Sequence, residues 1–238
     1  MEELKPYMNK LGIKDVKIVY NPRIRTQIIR DHKGYRIESP DLKDTRGLVH
    51  ELCHLYLAKN IHPLFAESPL ILLEGQKRED LIEKGERFAC CCNFACDVWV
   101  DDCFVDNFGK SMIQEGYSKA VNQLPSDISK MSRLNDINKA YLPYRLGYYM
   151  ASVQRRGLNL DFKYIEQAMK DEYSANLAIA RQLAPILANQ PLLPRETKSA
   201  INALEDSVLN LCSEVEGINV KLIEYNTGIG YGWCFTKP

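Results

Sequence analysis

The chain lacks any apolar run near the ~20 residues that cross a bilayer. It also lacks an excess of charge of either sign, since 31 basic and 31 acidic side chains cancel to a formal net charge of +0. Neither nucleic acid nor an anionic membrane surface is therefore an expected partner. Its first residues, MEELKPYMNKLGIKD, have neither the basic end nor the apolar centre of a signal peptide, and the expected location is the cytoplasm. No internal repeat, low-complexity tract or flexible linker interrupts the 238 residues, which suffice for one large domain or two small ones.

Disulfides are not expected either. Of eight cysteines, five crowd into residues 90–103 (Cys90, Cys91, Cys92, Cys96 and Cys103). Neighbours on one helix cannot easily adopt disulfide geometry, and Cys53, Cys212 and Cys234 supply no framework-like spacing. The C-x-x-C pair of zinc ribbons and iron–sulfur clusters is missing. Densely packed, reduced thiols in a helical core are the simpler reading.

What is present reads as α+β, mostly helical. Strands are expected at residues 16–20, 25–30 and 35–38, with Asp31-His32-Lys33-Gly34 as a hairpin turn. They predict a small N-terminal antiparallel sheet packed on the helix that follows. Asp41 or Asp44 can cap that helix, which spans roughly residues 43–60. Ser68-Pro69 suggests another helix start. Helical patterns then cover about residues 76–106, 136–156, 161–188 and 194–215, and the last twenty revert to strand and turn. A soft boundary at 111–126 divides a metal-binding part (1–110) from a helical part with a short C-terminal strand segment (111–238), although the two can share one core.

Histidine is scarce, and the few are informative. Two of four, His50 and His54, lie four apart on one helical face and can present two imidazoles to one Zn²⁺. Glu51 sits at the edge of that face. Zinc lowers the pKa of a bound water toward ~7, and Glu51 can take its proton and later deliver it to a leaving amine. Leu48, Leu52 and Leu55 form an opposite, apolar face. Gly47 and Ala58, one turn before and after the histidines, are expected to leave room for metal and substrate. Two imidazoles and a carboxylate on a buried helix would be costly without a metal or other polar partners.

Residues 48–56, LVHELCHLY, resemble the active-site helix of the zincin metallopeptidases. The resemblance covers about residues 16–106. It implies a helix lying beneath a small sheet whose edge strand binds peptide, a Zn²⁺ cofactor, and hydrolysis of a peptide or protein substrate.

A third protein ligand is needed. The metzincin pattern would place a histidine where Asn60 stands, and His62 precedes a proline as a loop histidine does. Carboxylates remain. Glu86, Cys90, Asn93, Asp97 and Asp101 follow three- and four-residue steps along one helical face, and Asp97 is an acid within the otherwise apolar FACCCNFACDVWV. Residues 93–101 are similar to an N-x-A-x-D-x-x-V-N/D pattern that follows HExxH in some metallopeptidases, and to the E-x-x-A-D helix of membrane-type gluzincins, with Asn93 in place of their ligand glutamate. The departure favours Asp97 as ligand, as in aspartate-type zincins. Glu74, twenty positions after His54 as in thermolysin-like enzymes, ranks second, and Glu86 third. An alternative partner for a buried Asp97 is an arginine such as Arg87 or Arg145.

Tyr141, Tyr144 and Tyr148 line one face of a later helix with Arg145 and Tyr149; packing is the ordinary role of such a stripe, and stabilising an oxyanion the more specific one. The leading functional expectation is a zinc peptidase. The alternative is a regulatory or interaction protein retaining a zincin-like metal site, and residues 86–89 (ERFA) are similar to zincin-like regulators that cleave a repressor.

Overall fold

The computed structural model describes residues 2–32, 34–66, 70–73, 78–130, 136–171, 173–216, 219–225 and 230–236. After a short helix, α1 (Lys5–Lys10), strands β1 (Lys17–Tyr20), β2 (Gln27–Asp31) and β3 (Gly34–Ser39) form one sheet in the order β1-β3-β2. β2 and β3 make the expected antiparallel hairpin, with Asp31 opposite Gly34 and the positive φ of 111° at Gly34 that a tight turn requires. The sheet is not wholly antiparallel, however: β1 pairs with β3 in parallel, Lys17 opposite Arg36. The connection 21–26 carries the chain across the end of β3 to the far edge instead of turning back, and Asn21 N–H still donates to the Ser39 carbonyl at 2.8 Å. This leaves β2 as an edge strand.

Helix α2 (Thr45–Asn60) begins where Asp44 caps it, its side chain accepting from Gly47 N–H at 3.0 Å. Leu48, Leu52 and Leu55 are essentially inaccessible and anchor it in the core. A short 3-10 turn, Pro63–Ala66, follows, then β4 (Leu70–Leu73) and the long α3 (Arg78–Phe108). Residues 67–69 and 74–77 lie outside the described residues, Ser68-Pro69 and Glu74 with them; a strand where a helix was expected follows directly at Leu70. Helices α4 (Ser111–Lys130), α5 (Asp136–Arg156), α6 (Lys163–Met169), α7 (Ser174–Ala188) and α8 (Thr197–Glu216) make up the rest, so that residues 111–126 are themselves helical and 161–188 divides into two helices.

At the C-terminal end, β5 (Asn219–Tyr225) and β6 (Gly230–Thr236) form an antiparallel hairpin, and β4 adds to it in parallel, giving the order β4-β6-β5. Buried residues before and after residue 110 belong to one hydrophobic cluster, from Leu52 and Trp99 to Leu183 and Leu204. Two polar ties cross it: Trp99 Nε1 donates to the Pro191 carbonyl at 2.7 Å, and Gln190 Nε2 to the Ala95 carbonyl at 2.8 Å. Helices α5 and α7 approach closely at Gly147, where a Cβ would lie 2.9 Å from the Ala180 carbonyl oxygen. Among the described residues, no helix is long and apolar enough to cross a membrane.

Candidate metal centre

The α2 cap and its leucine face fix the rotation of the helix, and that rotation turns His50, Glu51 and His54 toward α3 and β2. Asp97 of α3 meets them there. Its Oδ1 lies 3.2 Å from His54 Nε2 and 3.6 Å from His50 Nε2. These three side chains form a group that could hold a metal ion. A four-coordinate ion with ligands at about 2.0–2.1 Å would hold its ligand atoms about 3.3–3.4 Å apart. The two observed separations bracket that edge length, so Asp97 stands at ligand spacing from each histidine, and all three ligand atoms lie within 4.8 Å of one another.

Each histidine is oriented through its other nitrogen. His54 Nδ1 lies 2.6 Å from the Phe65 carbonyl oxygen; a carbonyl only accepts, so Nδ1 carries a proton and Nε2 is the nitrogen turned to the site. His50 Nδ1 lies 3.3 Å from Asp101 Oδ1, an acceptor-only carboxylate that favours a proton on Nδ1 and leaves Nε2 as the nitrogen turned to the site. Asp101 sits one turn after Asp97 on α3 and is almost wholly buried at 1% exposure, where it must be held by donors. Tyr148 O–H donates to its Oδ2 at 2.5 Å, Tyr117 O–H donates to the same oxygen, and Arg156 Nη1 lies 3.8 Å away. Arg156 is shared with Asp102 at 3.0 Å, and Arg155 pairs with Asp102 at 2.7 Å. Helices α4 and α5 thus reach across the core to steady the histidine on α2.

Electrostatics follow the geometry. Burial opposes charge on His50, but the Asp101 and Asp97 carboxylates outweigh it and hold its pKa well above the usual histidine value. Burial likewise opposes charge on Asp97, and the two histidines hold its carboxyl below the ordinary range. For Asp101, burial is outweighed by Arg156 and then His50, and its carboxyl is also held low. Glu51 moves the other way: burial raises its pKa, with the two histidines pulling back. Its Oε2 accepts from Ile28 N–H at 2.9 Å, the outward-pointing amide of the edge strand β2.

The group opens into a cleft of about 250 Å³. Its walls come from the β1–β2 connection and β2 (Arg25, Thr26, Gln27, Ile28), the 3-10 turn (Leu64, Phe65, Ala66), α3 (Cys92, Asn93, Cys96) and Tyr141 of α5. Tyr141 has its hydroxyl pKa pushed up to about 12, chiefly by burial, with Arg25 opposing.

His50, Glu51, His54 and Asp97 are therefore brought together. Other candidates are not. Glu86 lies eleven positions before Asp97, about 16 Å along the same helix axis, and is no part of the group. His62 is buried just before the 3-10 turn, where its Nδ1 accepts from Leu64 N–H at 3.2 Å. The ion pairs of Asp97 run to the histidines, and the buried arginine, Arg156, serves Asp101 instead. Arg145 Nε donates to the Tyr149 hydroxyl at 3.2 Å. Gly47 and Ala58 do not line the cleft: a Cβ on Gly47 would fall 2.4 Å from Asp44 Oδ2, so the missing side chain makes room for the helix cap. Cys53 packs against Cys103, and the seven cysteines from residue 53 to residue 212 form no disulfide.

Asp101, Tyr117, Arg156 and the Phe65 carbonyl had no assigned role in the sequence reading, and Tyr148, read there as part of a packing or oxyanion-stabilising stripe, donates to Asp101 instead. Asp101 carried a signal, its four-residue step from Asp97. The two tyrosines and Arg156 come from remote helices, and a backbone carbonyl leaves no trace in a sequence. Compared with known proteins, the chain matches no family model, no curated protein and no solved structure.

Proposed function

We propose that this protein is a zinc-dependent metallopeptidase with Glu51 as its general base and acid. The observation that carries the reading is the convergence of His50, His54 and Asp97 beside Glu51 in one cleft. Two imidazoles and a carboxylate also suit ferrous iron. A carboxylate base immediately after a ligand histidine is what hydrolysis requires, and it favours zinc. When bound, zinc supplies Lewis-acid activation of a water molecule and of a substrate carbonyl.

The chain's own residues do the remainder. The Ile28 amide fixes Glu51 through Oε2, and burial makes the carboxylate a better base than an exposed glutamate. Glu51 takes a proton from the attacking water and returns it to the departing amine. Tyr141 keeps its proton at neutral pH and offers a neutral donor to the oxygen on which charge develops. Edge strand β2 lies along the cleft and supplies extended backbone beside which a peptide can align.

The test compares zinc-loaded wild type with Glu51→Gln on unfolded protein and peptide substrates. Glutamine retains the Ile28 hydrogen bond and leaves the ligands untouched, so zinc content should stay the same while hydrolysis falls by about 10²–10⁴-fold. Equal hydrolysis by the two proteins refutes the assignment of Glu51. Bound metal with no hydrolysis by either protein supports the regulatory reading, a metal site without general protease activity.

A further inference from the structure

We infer that Arg25, with Asn93 and Gln27, forms a carboxylate-recognising subsite beside the metal centre, so that preferred peptides carry an acidic group near the bond to be cut. The inference rests on the metallopeptidase reading and deepens it by naming a substrate class. Arg25 is the single lysine or arginine lining the cleft among the described residues. Its guanidinium is held loosely, Nη1 3.5 Å from the Tyr141 hydroxyl and the group 5.8 Å from that ring's centre. Among the described residues no carboxylate pairs with it. The tyrosine contact positions the guanidinium at the cleft without neutralising it, and most of its donors stay available.

The neighbours have the same character. Asn93 and Gln27 line the cleft, half-buried, and their side-chain amides make no hydrogen bond among the described residues. Half-buried amides without protein partners are satisfied by water or by a ligand. The acids of the cleft are both engaged, Asp97 with the histidines and Glu51 with the Ile28 amide. A cation and two amides with free donors therefore face a space whose negative charges are already committed. A carboxylate entering it gains charge-assisted hydrogen bonds from Arg25 and breaks no existing ion pair. Arg25 also sits just before the edge strand, where a peptide running along β2 would pass its side chains.

That carboxylate has two sources, an aspartate or glutamate side chain or a free C-terminus. The experiment uses the zinc-loaded full chain carrying Glu51→Gln, so that binding is read without turnover. The first probe set is acetylated, amidated alanine–leucine hexapeptides with one Glu or one Gln at each position in turn. The second is the neutral hexapeptide as free acid and as amide. Affinities are measured by competition with a fluorescent peptide, with Arg25 intact and with Arg25→Gln. At least one acid-bearing peptide should bind about tenfold more tightly than its neutral counterpart. The ratio should collapse to within about twofold in Arg25→Gln and recover in part in Arg25→Lys, which restores charge but not the planar fork. The set that shows the preference identifies the source. No acid preference in either set, or one that survives Arg25→Gln, overturns the subsite. Zinc content, measured in parallel, reports an intact fold. Failure of the peptidase reading registers separately, as wild type that binds the acidic peptides without cutting them.

Discussion

Replacing Asp101 with asparagine tests whether the helical part of the chain supports the metal centre. The carboxylate is 1% exposed and serves four groups: His50 Nδ1 at 3.3 Å, Tyr148 O–H at 2.5 Å, the Tyr117 hydroxyl, and Arg156 at 3.8 Å. Asparagine keeps the volume and removes the charge. Breaking a buried ion pair from one side costs about 3–5 kcal/mol. Here the lower end applies, because Arg156 keeps Asp102 at 3.0 Å and Tyr148 keeps the Asp97 carbonyl at 3.0 Å. A loss of about 3 kcal/mol in a chain of this size lowers Tm by about 6–12 °C. The second effect is on the site: His50 loses the acceptor that fixes its tautomer, and zinc affinity should fall about 10–100-fold. Circular dichroism melts of the metal-free proteins read the first effect, and competition with a chromophoric chelator reads the second. As a control, Tyr117→Phe removes one donor and no charge, and should cost only about 1 kcal/mol. A metal-free Tm within about 2 °C of wild type, together with an unchanged zinc affinity, would refute the reasoning.

Other outcomes follow from particular contacts. Asp97→Ala removes the proposed third ligand and should reduce bound zinc to well under one per chain after gel filtration, as read by atomic emission; full retention contradicts its role. Gly47→Ala sets a helix-propensity gain of about 1 kcal/mol against loss of the Asp44 cap worth about the same, so urea unfolding should shift by less than about 0.5 kcal/mol. Zinc affinity should not change, and a drop would show that Gly47 clears space for the ion instead. Gly147→Ala pushes a methyl onto the Ala180 carbonyl, a backbone atom that cannot swing away, and should cost about 1–3 kcal/mol by the same unfolding measurement. Chelation should lower Tm reversibly, since zinc at a thousandfold above its Kd stabilises the folded state by about 4 kcal/mol.

Much of the site was legible because it is local. His50 and His54 share a face by spacing alone, and Asp97 stood out as an acid in an apolar helical run. The parallel pairing of β1 was hidden, since strand order depends on where residues 21–26 cross and composition does not encode that path. Strand β4, the four residues LILL, is too short for its periodicity to separate strand from helix, and it pairs with β6 more than 150 positions away. The support for His50 was hidden for the same reason: Tyr117, Tyr148 and Arg156 meet Asp101 only once α4 and α5 pack on α3. The tyrosine stripe on α5 divides by depth, Tyr148 reaching the Asp101 carboxylate and Tyr141 the cleft, and neither position follows from helical spacing. Gly47 was visible but misread, because the atom it accommodates belongs to its own helix cap.

Metal content is the most direct test of the central claim. The full chain, purified without chelators and exchanged into metal-free buffer, should carry one zinc per molecule by mass spectrometry, and the double variant His54→Ala with Asp97→Ala should carry none. Iron or no metal in the wild type, or zinc that persists in the double variant, would contradict the account.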